Sequence, residues 1–137
     1  MSLKRAIPGI LKDYRKIERK VSKKGDKKYR VTREDVKDKK LKIDQADGSA
    51  KVVVCLGPIG RCESFVQGVH ELDRILKPGG RIALACWTKQ GRDYKDGQFY
   101  FPASQFFKIL GRHFRTKQVK ELWSDGERTL RAFVGEK

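Results

Sequence analysis

Three groups of residues in this 137-residue chain have types and spacings that could do chemistry. The first is Val54-Cys55-Leu56-Gly57-Pro58-Ile59-Gly60, where an apolar run gives way to two glycines. Glycines after a strand are how phosphate-cradling loops begin, because bare backbone lets N–H groups approach a ligand. Pro58 and the G-x-x-G spacing suit such a loop poorly. A ribose-holding carboxylate would be due roughly 20–30 residues on, and Ala85-Cys86-Trp87-Thr88 supplies none. The segment therefore reads as a structural turn. The second group is cationic: Arg15, Lys16, Arg19, Lys20, Lys23 and Lys24 surround a single apolar line of Ile10, Tyr14, Ile17 and Val21. A helix of that pattern docks along one line and turns a basic face outward, a surface for polyanions. The third group sets Tyr94, Phe99, Tyr100 and Phe101 among Lys89, Arg92 and Lys95. Such a mixture can stack bases and neutralise phosphates, although anchoring of the loop by Phe99 and Phe101 is the simpler reading.

Other reactive types carry less. Glu71 follows His70, but neighbours in a helix point apart, and His113 has no carboxylate at a suggestive spacing. Cys55, Cys62 and Cys86 are odd in number and lack C-x-x-C spacing. They read as reduced, buried thiols, with neither a disulfide framework nor a metal site. No catalytic residue can be assigned. The formal charge of +16 is spread over both halves of the chain, so it attracts polyanions at long range and makes nucleic acid or a ribonucleoprotein the expected partner. No apolar run approaches the ~18 residues of a membrane span, and the first residues lack a secretory stretch. The expectation is a cytoplasmic protein with no membrane partner.

The elements that must position these groups divide near residue 50. Residues 1–50 read as a basic extension, with a helix over about 9–24 started by Pro8-Gly9 and ended by Gly25. Lys28 to Glu34 and Lys40 to Asp44 read there as weak alternating strands. Beyond residue 50, Lys51-Val-Val-Val-Cys-Leu is a run expected of a strand buried on both faces. Ser64 can cap a helix carrying Phe65, Val69, Leu72 and Leu76, which Lys77-Pro-Gly-Gly stops. Arg81-Ile-Ala-Leu-Ala-Cys-Trp is a second buried strand, completing a right-handed βαβ unit. After a polar loop from Lys89 to Gly97 comes a helix beginning near Pro102 and closed by Gly111. Two strands, Arg115 to Trp123 and Arg128 to Val134, then join across an Asp-Gly turn.

Glu71-Leu-Asp-Arg-Ile-Leu-Lys-Pro-Gly-Gly-Arg-Ile-Ala-Leu resembles a phrase of the class I S-adenosylmethionine-dependent methyltransferases. There a helix ending in E-x-x-R-x-L-K-P-G-G lies between the fourth and fifth strands. Val52 to Cys55 resembles the fourth strand and Arg81 to Trp87 the fifth. Phe101-Pro-Ala-Ser-Gln-Phe-Phe-Lys-Ile-Leu resembles the penultimate helix, and the terminal hairpin the last two strands. The resemblance covers residues 51–137. It implies a three-layer, Rossmann-like α/β half fold, mostly parallel, with an antiparallel C-terminal hairpin.

The resemblance also shows what is missing. The family binds cofactor with a glycine-rich loop after its first strand and an acid after its second, and residues 1–50 contain neither. The expected function is thus a noncatalytic nucleic-acid-binding or ribonucleoprotein assembly module, with no cofactor for the isolated chain and Arg15 to Lys24 as its contact. The alternative is a subunit or remnant of an S-adenosylmethionine-dependent methyltransferase, completed by another chain or a second copy. In that case Cys55, Leu56 and Gly57, at the end of the fourth strand, would lie against S-adenosylmethionine. Either way Val52 to Cys55 would be a bare apolar edge, an invitation to aggregation. Lys28 to Glu34 or Lys40 to Asp44 is expected to cover it, with the basic helix on the sheet; a twofold partner is the other possibility.

Overall fold

In the computed structural model, which describes residues 1–137, the chain order opens with helix α1 (Leu3–Val21) and strand β1 (Lys28–Arg30). A small hairpin, β2 (Val36–Lys37) and β3 (Lys40–Leu41), leads to β4 (Ala50–Leu56), α2 (Phe65–Ile75) and β5 (Leu76–Lys89). A second hairpin, β6 (Asp93–Lys95) and β7 (Gln98–Pro102), precedes α3 (Ala103–His113), β8 (Arg115–Ser124) and β9 (Arg128–Glu136). The fold is α/β, with β1, β4 and β5 parallel and β9 and β8 antiparallel beyond them.

β4 is the centre of the left half of this sheet. Val52, Val53, Val54 and Cys55 are buried, and both edges of the strand are paired, by β5 on one side and β1 on the other. Tyr29 lies opposite Val53, so the first of the two candidate segments is the one that covers the edge. The second does not: Lys40 and Leu41 fold back on Val36 and Lys37, turning through Asp38 and Lys39 at φ 53° and 59°. β5 outruns β4, and β7 takes up the freed edge, pairing Phe101 with Thr88. That places the β6–β7 hairpin over the end of β4. The stretch read as a polar loop from Lys89 to Gly97 contains part of this hairpin, which turns at Asp96 and Gly97, both at positive φ.

Strand alternation splits β5 into two unequal faces. Ile82, Leu84 and Cys86 enter a large cluster with Phe65, Val69, Leu72, Phe106, Leu110 and Phe133, under α2 and α3. Burying each such large side chain stabilises by roughly 1.5–3 kcal/mol. Ala83 and Ala85, with Ala132, form the other face, and their small side chains let α1 lie close, with Ile17 and Val21 against Val52 and Val54. The helix runs over Leu3–Val21 rather than 9–24. Ser2 caps it by accepting the Arg5 N–H, and the exposed Pro8 is carried inside, near the N-terminal end. It ends where the Ser22 N–H closes on the Glu18 carbonyl, three residues before Gly25. Similarly, α3 passes through Gly111 to His113, because Leu110 and Phe114 beyond it are both buried.

The basic extension, residues 1–50, thus contributes one strand to the sheet and one helix packed on it. Glu18 fastens them together. Its carboxylate accepts from Lys28 at 2.9 Å and from Arg30 through both guanidinium nitrogens, tying α1 to β1. Arg30 foremost holds that carboxyl below its usual value of 4.5. A depressed folded pKa contributes stability that is present above the unfolded value and lost as pH falls through the folded one. Glu18→Gln is therefore expected to cost about 1 kcal/mol at pH 7. Urea unfolding repeated at about pH 2–3 should bring the two proteins together; an equal gap at both pH values would show that the ion pairs are not its source.

Candidate functional site

Open parallel sheets bind ligands outside the carboxyl ends of their strands. At the ends of β1 and β4 lies a crevice of about 390 Å³ lined by Thr32, Arg33, Leu56, Gly57, Pro58, Arg61 and Gln98. Its floor is built by local backbone demands. Gly57 has φ +116°, a conformation closed to most L-residues, with open space where a side chain would be. Pro58 to Arg61 then makes a single 3₁₀ turn, closed by Gly60 N–H to Gly57 carbonyl at 2.9 Å. Gly60 answers a different need. A Cβ there would meet the Gln98 amide nitrogen at 2.1 Å, and that amide donates to the Gly60 and Phe99 carbonyls. The two glycines that suggested a phosphate loop thus permit a turn and a close approach.

Of the residues the sequence pointed to, Leu56 and Gly57 face this crevice. Cys55 does not: it is wholly buried in the large cluster, where burial pushes its thiol up to about 12. Cys62 behaves alike, and burial also raises the Cys86 thiol. Arg33, Arg61 and Gln98 went unnoticed in the sequence. They come from a loop, a turn and a hairpin 28 and 37 residues apart, and no local pattern announces their meeting.

A methyltransferase cofactor requires a glycine-rich loop after the first strand and a ribose-holding acid. After β1 the chain reads Val31-Thr32-Arg33-Glu34-Asp35, without glycine. Asp35 is spent on structure, accepting from the Tyr29 hydroxyl at 2.7 Å and the Thr32 N–H at 2.9 Å. Burial, with Asp35 second, pushes that phenol up to about 12. The wall contains two guanidiniums and no carboxylate, which is unfavourable for a sulfonium cation. These residues do not fit S-adenosylmethionine.

The basic residues of α1 lie on its outward side. Arg15, Lys16, Arg19, Lys20, Lys23 and Lys24 are all exposed, with Lys23 and Lys24 just past the helix end. Lys20 bonds the Gln118 amide of β8, and Lys120 approaches Asp13 at 3.6 Å, so Lys120 of β8 lies beside the basic helix. Sequence spacing held no sign of that juxtaposition. The loop aromatics divide as chemistry requires: Phe99, Tyr100 and Phe101 are buried, while Tyr94 is 50% exposed. Lys89 is engaged by Asp93.

The two histidines meet at the opposite end of the sheet, 6.1 Å between ring centres. There His113 Nδ1 lies 2.7 Å from Asp73, a carboxylate also held by Lys137 at 3.0 Å, which pins the chain's last residue. No group of three or more His, Cys, Asp and Glu side chains is arranged to hold a metal ion. Nearby, Arg74 bonds Glu71, Asp47 and the Ile43 and Gln45 carbonyls, so Glu71 and Arg74 of the recognisable phrase clamp a loop.

No family model matches the chain, and no curated protein matches it by sequence. Solved structures do. A protein of Bacillus halodurans provisionally classed as a methyltransferase superposes with a TM-score of 0.65 at 11% identity, over 92% of this chain and 99% of that one. The Burkholderia thailandensis 1,6-didemethyltoxoflavin N1-methyltransferase, solved with S-adenosylhomocysteine, gives 0.55 at 12% identity over 68% of this chain and 46% of that one. The 4+2 cyclase SpnF gives 0.58 at 12% identity, over 70% and 53%. The chain spans about half the length of the latter two. Its fold is that of the class I methyltransferases, in abbreviated form.

The close approach at Gly60 gives a direct check on the crevice wall. Gly60→Ala should destabilise by about 1–3 kcal/mol, measured by thermal unfolding. In a Gln98→Ala background the same change should cost much less; additive losses would mean that the Gln98 amide is not what fills the space.

Proposed function

We propose that this methyltransferase-like chain is a noncatalytic nucleic-acid-binding or ribonucleoprotein assembly module, with the outward face of α1 as its contact surface. One observation carries the reading. Arg15, Lys16 and Arg19 stand on one exposed helix face with no ion pair or side-chain hydrogen bond of their own, in a chain of formal charge +16. Free cations on an already formed helix can neutralise phosphates and release the counterions that drive such binding. The poor fit of the strand-end crevice to a sulfonium cofactor supports the noncatalytic half of the reading, and the occurrence of a cyclase on this fold illustrates that architecture does not fix chemistry.

The alternative, a subunit of an S-adenosylmethionine-dependent methyltransferase completed by another chain or a second copy, draws on a specific feature. β1 pairs with β4 only, and its outer edge is open where the family's sheet continues. A partner supplying strands there could also bring a cofactor loop. That edge is just three residues long and carries Lys28 and Arg30, features that natural sheets use to discourage pairing.

Two measurements separate these readings. Retention on nucleic acid should fall steeply with salt, the logarithm of affinity dropping by about 0.9 per neutralised phosphate for each log unit of salt on duplex DNA. Replacing Arg15, Lys16 and Arg19 with Glu should weaken binding across sequences and lower that slope by about one for each phosphate no longer neutralised; an unchanged slope would move the binding surface off α1. In a thermal shift experiment, S-adenosylmethionine and S-adenosylhomocysteine at millimolar concentration are expected to leave the midpoint unmoved. A ligand at 100 times its dissociation constant would add about 2.7 kcal/mol, so a clear upward shift would favour the enzyme reading.

A further inference from the structure

We propose that the crevice at the ends of β1 and β4 is a binding site for a small phosphate-bearing ligand of the nucleotide class, distinct from the nucleic-acid surface on α1. Its wall brings together Arg33, on the loop after β1, and Arg61, at the end of the turn after β4. Neither guanidinium makes a salt bridge or hydrogen bond within the protein, whereas the two arginines on the strands flanking β4, Arg30 and Arg81, are spent on Glu18 and Asp26. Of five cavities on the molecule, this one alone has no carboxylate in its lining. Two unpaired guanidiniums facing an opening with no compensating acid select an anion, and phosphate oxygens match their paired N–H groups.

Size and the remaining walls point past a bare phosphate. A volume near 390 Å³ lies in the range of small-molecule sites. In the same wall Leu56 and Pro58 offer apolar surface, and the side-chain carbonyl oxygen of Gln98 has no partner in the protein, its amide nitrogen alone being bonded. Phosphate between Arg33 and Arg61, a flat apolar group against Leu56 and Pro58, and a donor to Gln98 would use every feature of the wall. The Gln98 wall is pre-formed: its amide is held over Gly60 by hydrogen bonds to the Gly60 and Phe99 carbonyls. Arg61 lies over Gly97, where a Cβ would come within 3.1 Å of a guanidinium nitrogen.

The test is calorimetric titration of the whole chain with ATP and AMP, with adenosine, inorganic phosphate and S-adenosylmethionine run alongside. The proposal expects one equivalent of a nucleotide to bind, with adenosine and inorganic phosphate at least tenfold weaker and S-adenosylmethionine without effect. Arg33→Gln and Arg61→Gln, both at exposed or half-exposed positions, should each weaken nucleotide binding at least tenfold while leaving the unfolding temperature and the α1-dependent retention on nucleic acid unchanged. Adenosine binding as tightly as ATP, or full affinity in both variants, would overturn the site. Loss of nucleic-acid retention in the two variants, equal to that of the α1 variant, would also overturn it, by making the crevice part of the polymer's track. Because α1 and the crevice are read by different ligands and different variants, failure of one assignment leaves the other measurable.

Discussion

A seven-residue strand with every side occupied is the constraint on which the rest of this small protein depends. Ala50–Leu56 has an apolar cluster on each face and a strand on each edge. Without its N-terminal neighbour, Val52 to Cys55 would present unpaired backbone groups on an apolar ribbon. Lys28–Arg30 satisfies them with the least chain that can do so, and Glu18 then anchors that short strand to α1. The covering strand is itself an edge, but a short and cationic one, unattractive to further pairing. The exposed flank of the sheet thereby moves from an apolar strand to a charged one.

The electrostatics of the strand ends follow from the same abbreviation. In the full family the sheet reverses direction beside the first strand, and the reversal opens a cleft for the cofactor. Here β1, β4 and β5 follow one another across the sheet in a single direction. What remains at their ends is a shallower crevice whose wall owes its charge to Arg33 and Arg61. Inherited architecture and local chemistry have separated.

Much of this was legible in the sequence, for identifiable reasons. β4, α2 and β5 announce themselves because strands buried on both faces need continuous apolar runs, and Ser64 and Lys77-Pro-Gly-Gly mark helix limits by local backbone chemistry. The terminal hairpin follows from Asp125-Gly126. The start of α1 was hidden because Pro8-Gly9 reads as a boundary, yet an exposed proline near the N-terminal end of a helix is tolerated. The β6–β7 hairpin was hidden because Asp93, Tyr94 and Lys95 are all exposed, so no alternation marks them; the Asp96-Gly97 pair was the available sign. The crevice was illegible in principle, since it depends on which loops the sheet order brings together.

The alanine face of the sheet has a further consequence, for motion. α1 is 19 residues long yet buries only Ile10, Ile17 and Val21, against a surface of valines and alanines. The opposite layer interlocks through Phe65, Phe101 and Phe106. Undocking the helix would bare the smaller of the two clusters, so its free energy is expected to lie below that of global unfolding. Amides of α1 are therefore expected to exchange with solvent through sub-global opening, and those of β4 and β5 only with the whole molecule. An anionic polymer laid along α1 would meet the least stable layer and, by mass action on its docked form, slow that opening first.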